Sequence, residues 1–174
     1  MIGLVELYWS EIMLLDLKKV FLQEGEKLDL YYEMDMSNVN LNGAKPFEDA
    51  VKVNVNIINQ SGLILFKAGV FLNFTFPCDR CCKPVKHEYQ YSFQHDLVMN
   101  SEDADAIEII DYKLDLDALV ISDILLSLPS KFLCNENCKG LCMYCGKDFN
   151  RESCDCARGQ IDPRLESLKS LLIN

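Results

Sequence analysis

The chain has 174 residues, 49% of them hydrophobic, and a formal net charge of −10. This length suits one domain with an ordinary core, and the composition excludes a fibrous or disordered chain. No apolar run approaches the roughly 18 residues of a membrane span, and no basic block is present of the kind that grips phosphate backbones.

The start, "MIGLVELYWSEIM", lacks a basic flank and carries Glu6 and Glu11, so it does not read as a signal peptide. That predicts a cytoplasmic protein, where clustered thiols hold metal more often than disulfides.

The first half reads as strands. Val51, Val53, Val55 and Ile57 alternate with Lys52, Asn54 and Asn56, the period of a half-buried strand. "NQSG" (59–62) is a turn signal, and apolar residues follow at 63–66. Leu72, Phe74 and Phe76 lead into "CDRCCKP" (78–84). Beyond it, Val85, His87, Tyr89, Tyr91, Phe93 and His95 alternate with polar residues, so this cysteine pair sits at the tip between two strands.

"NSEDADA" (100–106) is a polar loop and "AIEIIDY" (106–112) one further strand. "DLDALVISDILLSLP" (115–129) predicts a helix, with Asp115 as N-cap, Leu116, Leu119, Val120 and Ile124 at helical spacing, and Pro129 past the end. Near the C-terminus, Asp162 and Pro163 open a short helix with Leu165, Leu168 and Leu172 on one face. The charge is uneven: residues 96–123 hold nine acids and one base, whereas 131–169 hold seven bases and six acids.

Six of the nine cysteines fall within residues 131–156. A structural zinc site takes four soft ligands, and a Cys-x2-Cys turn supplies two. Cys142 and Cys145, followed by Gly146, have that form, and Cys154 and Cys156 offer a second pair nearby. Cys78 and Cys81 make another pair, and Cys134 and Cys138 remain in the tail. Eight thiols thus sort into two fours, and Cys82 is left over. Three other uses stay open: an iron–sulfur cluster, although the close ferredoxin run is absent; a redox Cys-x2-Cys, although that motif normally opens a helix; and one zinc with four spare thiols.

His87 and His95 share a strand face roughly 27 Å apart, too far to serve one metal. His87 reads as a buried histidine with a hydrogen-bond partner rather than as a ligand. Asp115, Asp117 and Asp123 read as solvated or capping acids. There is no phosphate-cradling glycine loop and no Ser/His/Asp signal, so catalysis has no visible support.

"FPCDRCCKPVKHEYQYSF", "SDILLSLPSKFLCNENCKGLC", "CGKDFN", "CDC" and "IDPRLESL", in this order, resemble the YceD-type large ribosomal RNA accumulation proteins over roughly residues 14–172. Three positions depart from the family pattern: Cys82 stands where an apolar residue is usual, Asp123 where Glu is expected, and Met143 in place of a common proline. The resemblance implies a bacterial cytoplasmic factor for accumulation or processing of large-subunit ribosomal RNA. It also supports setting Cys78 and Cys81 with Cys134 and Cys138, apart from Cys142, Cys145, Cys154 and Cys156. The family-like sequence begins near "MLLDLKKVF", so Met13 is expected as a natural start, against a first helix suggested by Leu4, Leu7, Tyr8 and Glu11.

The expected architecture is α+β, with a mostly antiparallel sheet or partial barrel, a helix, a zinc-bearing cysteine-rich tail and a short C-terminal helix. Residues 14–130 would form the sheet domain, 131–174 a tail packed with it as one unit, and 1–13 an extension. The expected function is a non-enzymatic factor holding two zinc ions. Its partner would be a large-subunit ribosomal protein or assembly factor, with no membrane and no DNA. The alternatives are a zinc-ribbon adaptor unrelated to ribosomes and an RNA-processing enzyme.

Overall fold

The computed structural model describes residues 13–99 and 106–156. The N-terminal extension up to residue 12, the 100–106 loop up to residue 105 and the C-terminal helix expected from the sequence lie outside these residues. Among the described residues two sheets and two helices make an α+β fold. Strands β1 (Leu14–Asp16) and β7 (Lys113–Asp115) pair antiparallel. The main sheet has the order β2 (Lys27–Met34), β3 (Val51–Gln60), β4 (Leu63–Pro77), β5 (Pro84–Val98), β6 (Ile107–Glu108), and it is not closed into a barrel. Helix α1 is Lys18–Leu22 and α2 is Leu116–Ser127. Among the described residues no helix is long and apolar enough to cross a membrane.

The alternation of β3 does what its period requires: Val51, Val53, Val55 and Ile57 are buried. The turn after it uses Ser61 and Gly62, both at positive φ, as a two-residue hairpin needs to match strand twist. Asn59 clamps this corner from inside. Its amide donates to the Val20 carbonyl at 2.8 Å and its side-chain oxygen accepts from Gly62 N at 2.9 Å.

Strands β4 and β5 pair without interruption from Ile64 opposite Leu97 to Pro77 opposite Pro84. Proline cannot extend a ladder, so the pairing ends there and the cysteine turn is held at the far end of a long hairpin. The inward face of β4 (Phe66, Val70, Leu72, Phe74) shares one core with Leu116, Val120 and Ile124 of α2, Val20 of α1, and Phe47 from the β2–β3 connection. Each such buried side chain contributes about 1.5–3 kcal/mol. Phe74 centres an aromatic cluster with Phe47 at 5.4 Å and Phe132 at 4.8 Å between ring centroids, so the chain after α2 is drawn onto the sheet.

Asp115 caps α2, accepting from Ala118 N at 3.0 Å. The single strand expected at 106–112 is cut short. Only Ile107 and Glu108 join the sheet, parallel to β5, because Asp111 and Tyr112 turn the chain at positive φ into β7.

Candidate metal centres

The two Cys-x2-Cys turns are built alike. In the first, Cys78 N donates to Lys83 O (2.8 Å) and Cys82 N to Cys78 O (2.8 Å). In the second, Cys142 N donates to Lys147 O (2.8 Å) and Gly146 N to Cys142 O (2.9 Å). Each turn therefore folds its backbone under the leading sulfur. Burial opposes ionisation of Cys78, but the N–H groups of Cys134, Arg80 and Cys81 aimed at its sulfur bring it down to about 6. The N–H groups of Cys145 and Tyr144 bring Cys142 down to about 6 as well. Neighbouring thiols act oppositely: contact with Cys81 pushes Cys134 up to about 12, and contact with Cys145 pushes Cys156 up to about 12.

The eight thiols meet in two fours. The sulfurs of Cys78, Cys81, Cys134 and Cys138 all lie within 4.8 Å of one another, as do those of Cys142, Cys145, Cys154 and Cys156. In the first group Cys78 is 3.9 Å from Cys138 and Cys81 is 3.5 Å from Cys134. A tetrahedral ion with sulfur at about 2.3 Å sets sulfurs about 3.8 Å apart, so the spacing fits a four-thiolate ion. Four thiols so placed could hold a soft cation from four sides.

The first group joins distant chain. Asp79 N donates to Phe132 O (2.8 Å) and Phe132 N to Asp79 Oδ2 (2.7 Å). Arg80 Nη1 donates to Cys138 O (2.6 Å), and Leu141 N to Arg80 O (3.2 Å).

A polar link runs between the two groups, and no local sequence signal announced it. Asn150 Nδ2 donates to Cys138 Sγ at 3.3 Å and to Asp148 Oδ1 at 2.7 Å. Asp148 also receives Lys83 Nζ, which holds its carboxyl down at about 2. Lys83 ends the first turn and Asp148 follows the second, so the turns are tied to each other as well as to their own ligands. Such outer partners orient ligands and tune their basicity.

Cys82 belongs to neither four. It is exposed, and its φ of 57° puts it where the second turn has Gly146 at 73°. The left-handed conformation costs a residue with Cβ about 1 kcal/mol relative to glycine. Cys82→Gly is therefore expected to raise stability by about 0.5–1 kcal/mol and leave metal content unchanged. A thermal melt in saturating zinc checks this, and a lower midpoint would mean that the thiol has a contact of its own.

The other sequence candidates are placed differently. His87 Nε2 is buried without a hydrogen-bond partner among the described residues, contrary to expectation. Its ring lies 5.8 Å from Tyr89 and 6.3 Å from Phe132, so aromatic packing holds it. Asp123 is neither solvated nor a cap: it bonds His95 Nε2 at 2.8 Å and fastens α2 to β5. Asp117 accepts Met13 N at 3.3 Å. In the tail, Lys147 pairs with Glu152 at 3.4 Å and Arg151 with Asp148 at 3.9 Å.

The family model described as "Large ribosomal RNA subunit accumulation protein YceD" matches residues 67–172, which include all eight clustered cysteines. The chain is 25% identical over 169 residues to "Uncharacterized protein YlbN" of Bacillus subtilis (strain 168), covering 94% of this chain and 95% of that one. It is 28% identical over 102 residues to "Uncharacterized protein Rv2926c" of Mycobacterium tuberculosis (strain ATCC 25618 / H37Rv), covering 55% of this chain and 49% of that one. No solved structure matches the chain.

Proposed function

The chain belongs to the YceD family of large ribosomal RNA subunit accumulation proteins, and from that premise we propose that it is a non-enzymatic zinc protein supporting large-subunit ribosomal RNA accumulation during ribosome assembly. The carrying observation is the pair of four-cysteine groups, each with all sulfurs within 4.8 Å. Cys78, Cys81, Cys134 and Cys138 would hold one zinc, and Cys142, Cys145, Cys154 and Cys156 the other. A zinc closed by four thiolates keeps no position for substrate, so its contribution is to fold the turns and join the hairpin tip to the tail.

Charge favours a protein as the primary contact. Two four-thiolate zinc sites take the formal charge from −10 to −14, which opposes approach to RNA at long range and attracts basic large-subunit proteins. The second turn also presents Met143 and Tyr144, 98% and 69% exposed, as an apolar tip for such a contact. Crosslinking with mass spectrometry on native pre-ribosomal particles tests this reading. Crosslinks are expected from the cysteine-rich region to a ribosomal protein or assembly factor of the large subunit, and crosslinks only to non-ribosomal proteins would overturn it.

Binding to bare large-subunit RNA is expected to be weak at physiological salt, because the net negative charge opposes approach and the sequence has no basic block to release counterions. A filter-binding salt series measures it. Sub-micromolar affinity with a steep salt slope would show that RNA, not protein, is the primary partner.

A further inference from the structure

We propose that the two four-cysteine groups take up zinc cooperatively, with Asn150 as the positioning residue that couples them. This rests on the reading of both groups as zinc sites. Cys138 of the first group and Cys142 of the second are separated by only Lys139, Gly140 and Leu141. Hydrogen bonds on both sides of this short link make the two groups parts of one unit.

Asn150 lies inside the loop of the second group, five residues after Cys145 and four before Cys154. Its side chain serves the first group. Nδ2 donates to Cys138 Sγ at 3.3 Å, and Oδ1 accepts from Lys139 N, the next residue along, at 2.8 Å. Further bonds hold it there. Asn150 N and Nδ2 both donate to Asp148 Oδ1, at 2.9 and 2.7 Å, and Phe149 N donates to Gly140 O at 3.0 Å. One residue thus depends on the second group for its place and bonds a ligand of the first.

Four thiolates around one divalent cation leave the site negatively charged, and each sulfur carries a share. A hydrogen bond to such a sulfur is charge-assisted and stronger than one to a neutral thiol. The Asn150 amide therefore favours the loaded first group over the empty one, provided its loop is in place. Zinc on Cys142, Cys145, Cys154 and Cys156 would fix both ends of that loop, so the cost of ordering Asn150 no longer falls on the first group. The reverse path runs through Lys83, two residues after Cys81. Lys83 Nζ donates to Asp148 Oδ2, and Asp148 O accepts from Arg151 N and Glu152 N, both at 3.0 Å. Zinc in the first group would fix Lys83 and, through it, the residue around which the second loop turns. Linkage makes the two effects equal in size.

The test is zinc uptake by the full chain in competition with a chelator of known affinity, with native mass spectrometry counting the ions. Cys145→Ser keeps the first group alone and Cys134→Ser the second alone. The product of the two zinc association constants of the wild type is expected to exceed the product of these single-site constants about tenfold. Asn150→Ala is expected to weaken zinc at the first group about tenfold while the second group is intact. Asn150→Asp, which keeps an oxygen for Lys139 N and loses the amide donor, is expected to do the same. In Cys145→Ser both substitutions are expected to change the first group's affinity little, because the loop no longer holds that position in place. Equal losses in the two backgrounds would mean that Asn150 only packs the tail, and would overturn the coupling. A wild type whose product equals that of the single-site variants overturns the coupling and leaves the two-zinc reading standing. A wild type that takes up fewer than two ions overturns both.

Discussion

Cys145→Ser is expected to lower bound zinc from two ions per chain to one, and Cys134→Ser to do the same at the other four-cysteine group. Native mass spectrometry reads both. Structural zinc binding carries an apparent ~10–16 kcal/mol in small zinc-binding peptides, so either loss outweighs any single packing change in the chain. The two losses differ in reach. Cys78 and Cys138 are 60 residues apart, and Cys81 and Cys134 are 53 apart. A zinc held by the first group would thus close long loops and tie the tail to the β4–β5 tip, and longer closed loops gain more from a clip. Cys142, Cys145, Cys154 and Cys156 close a short segment. Cys134→Ser should therefore lower the melting midpoint more than Cys145→Ser, while the far-ultraviolet signal of the sheet survives both, because its core does not include the thiols. One ion in the wild type, loss of both ions from either variant, or iron in place of zinc would refute the two-site partition.

The sequence showed most clearly what local period or spacing encodes. The alternation of β3 and β5 and the cap and apolar spacing of α2 marked those elements, and Cys-x2-Cys spacing marked the turns. Strand β2 carried an equal signal that sequence reading passed over: Leu28, Leu30, Tyr32 and Met34 face inward between exposed Lys27, Asp29, Tyr31 and Glu33. Strands β1 and β7 carried none. Each has three residues, and their pairing depends on the chain returning to β1 just before α2 rather than on any period. The same holds for α1, five residues long.

At the site, the comparison of "CDRCC" with "CMYCG" already held the role of Cys82 as the residue in the left-handed position. A family-based expectation of an apolar side chain hid it. The hydrogen bond from Asn150 to Cys138 was beyond reach, because it depends on how the second turn's Leu141–Asp148 bridge aims the chain beyond it.

Gly140→Ala is expected to destabilise the zinc-loaded protein by about 2–4 kcal/mol, although it adds one methyl group outside the main core. Gly140 has φ +75°, and a Cβ there would lie 2.9 Å from the Arg80 carbonyl oxygen. The obstacle is backbone, held from several sides: Arg80 O accepts from Leu141 N, and the Arg80 side chain donates to Cys138 O. Relief would require the hairpin tip and the tail to part where Cys78 and Cys81 meet Cys134 and Cys138. Gly146→Ala is the matched comparison. Its φ of +73° imposes the same left-handed strain, but nothing lies within 4 Å of its Cβ, so it should cost only the strain of about 1–2 kcal/mol. At roughly 2–4 °C per kcal/mol for a chain of this size, Gly140→Ala should melt several degrees below Gly146→Ala. Equal midpoints would mean that the Arg80 carbonyl moves aside freely, and the joint between hairpin tip and tail would then be looser than its hydrogen bonds describe.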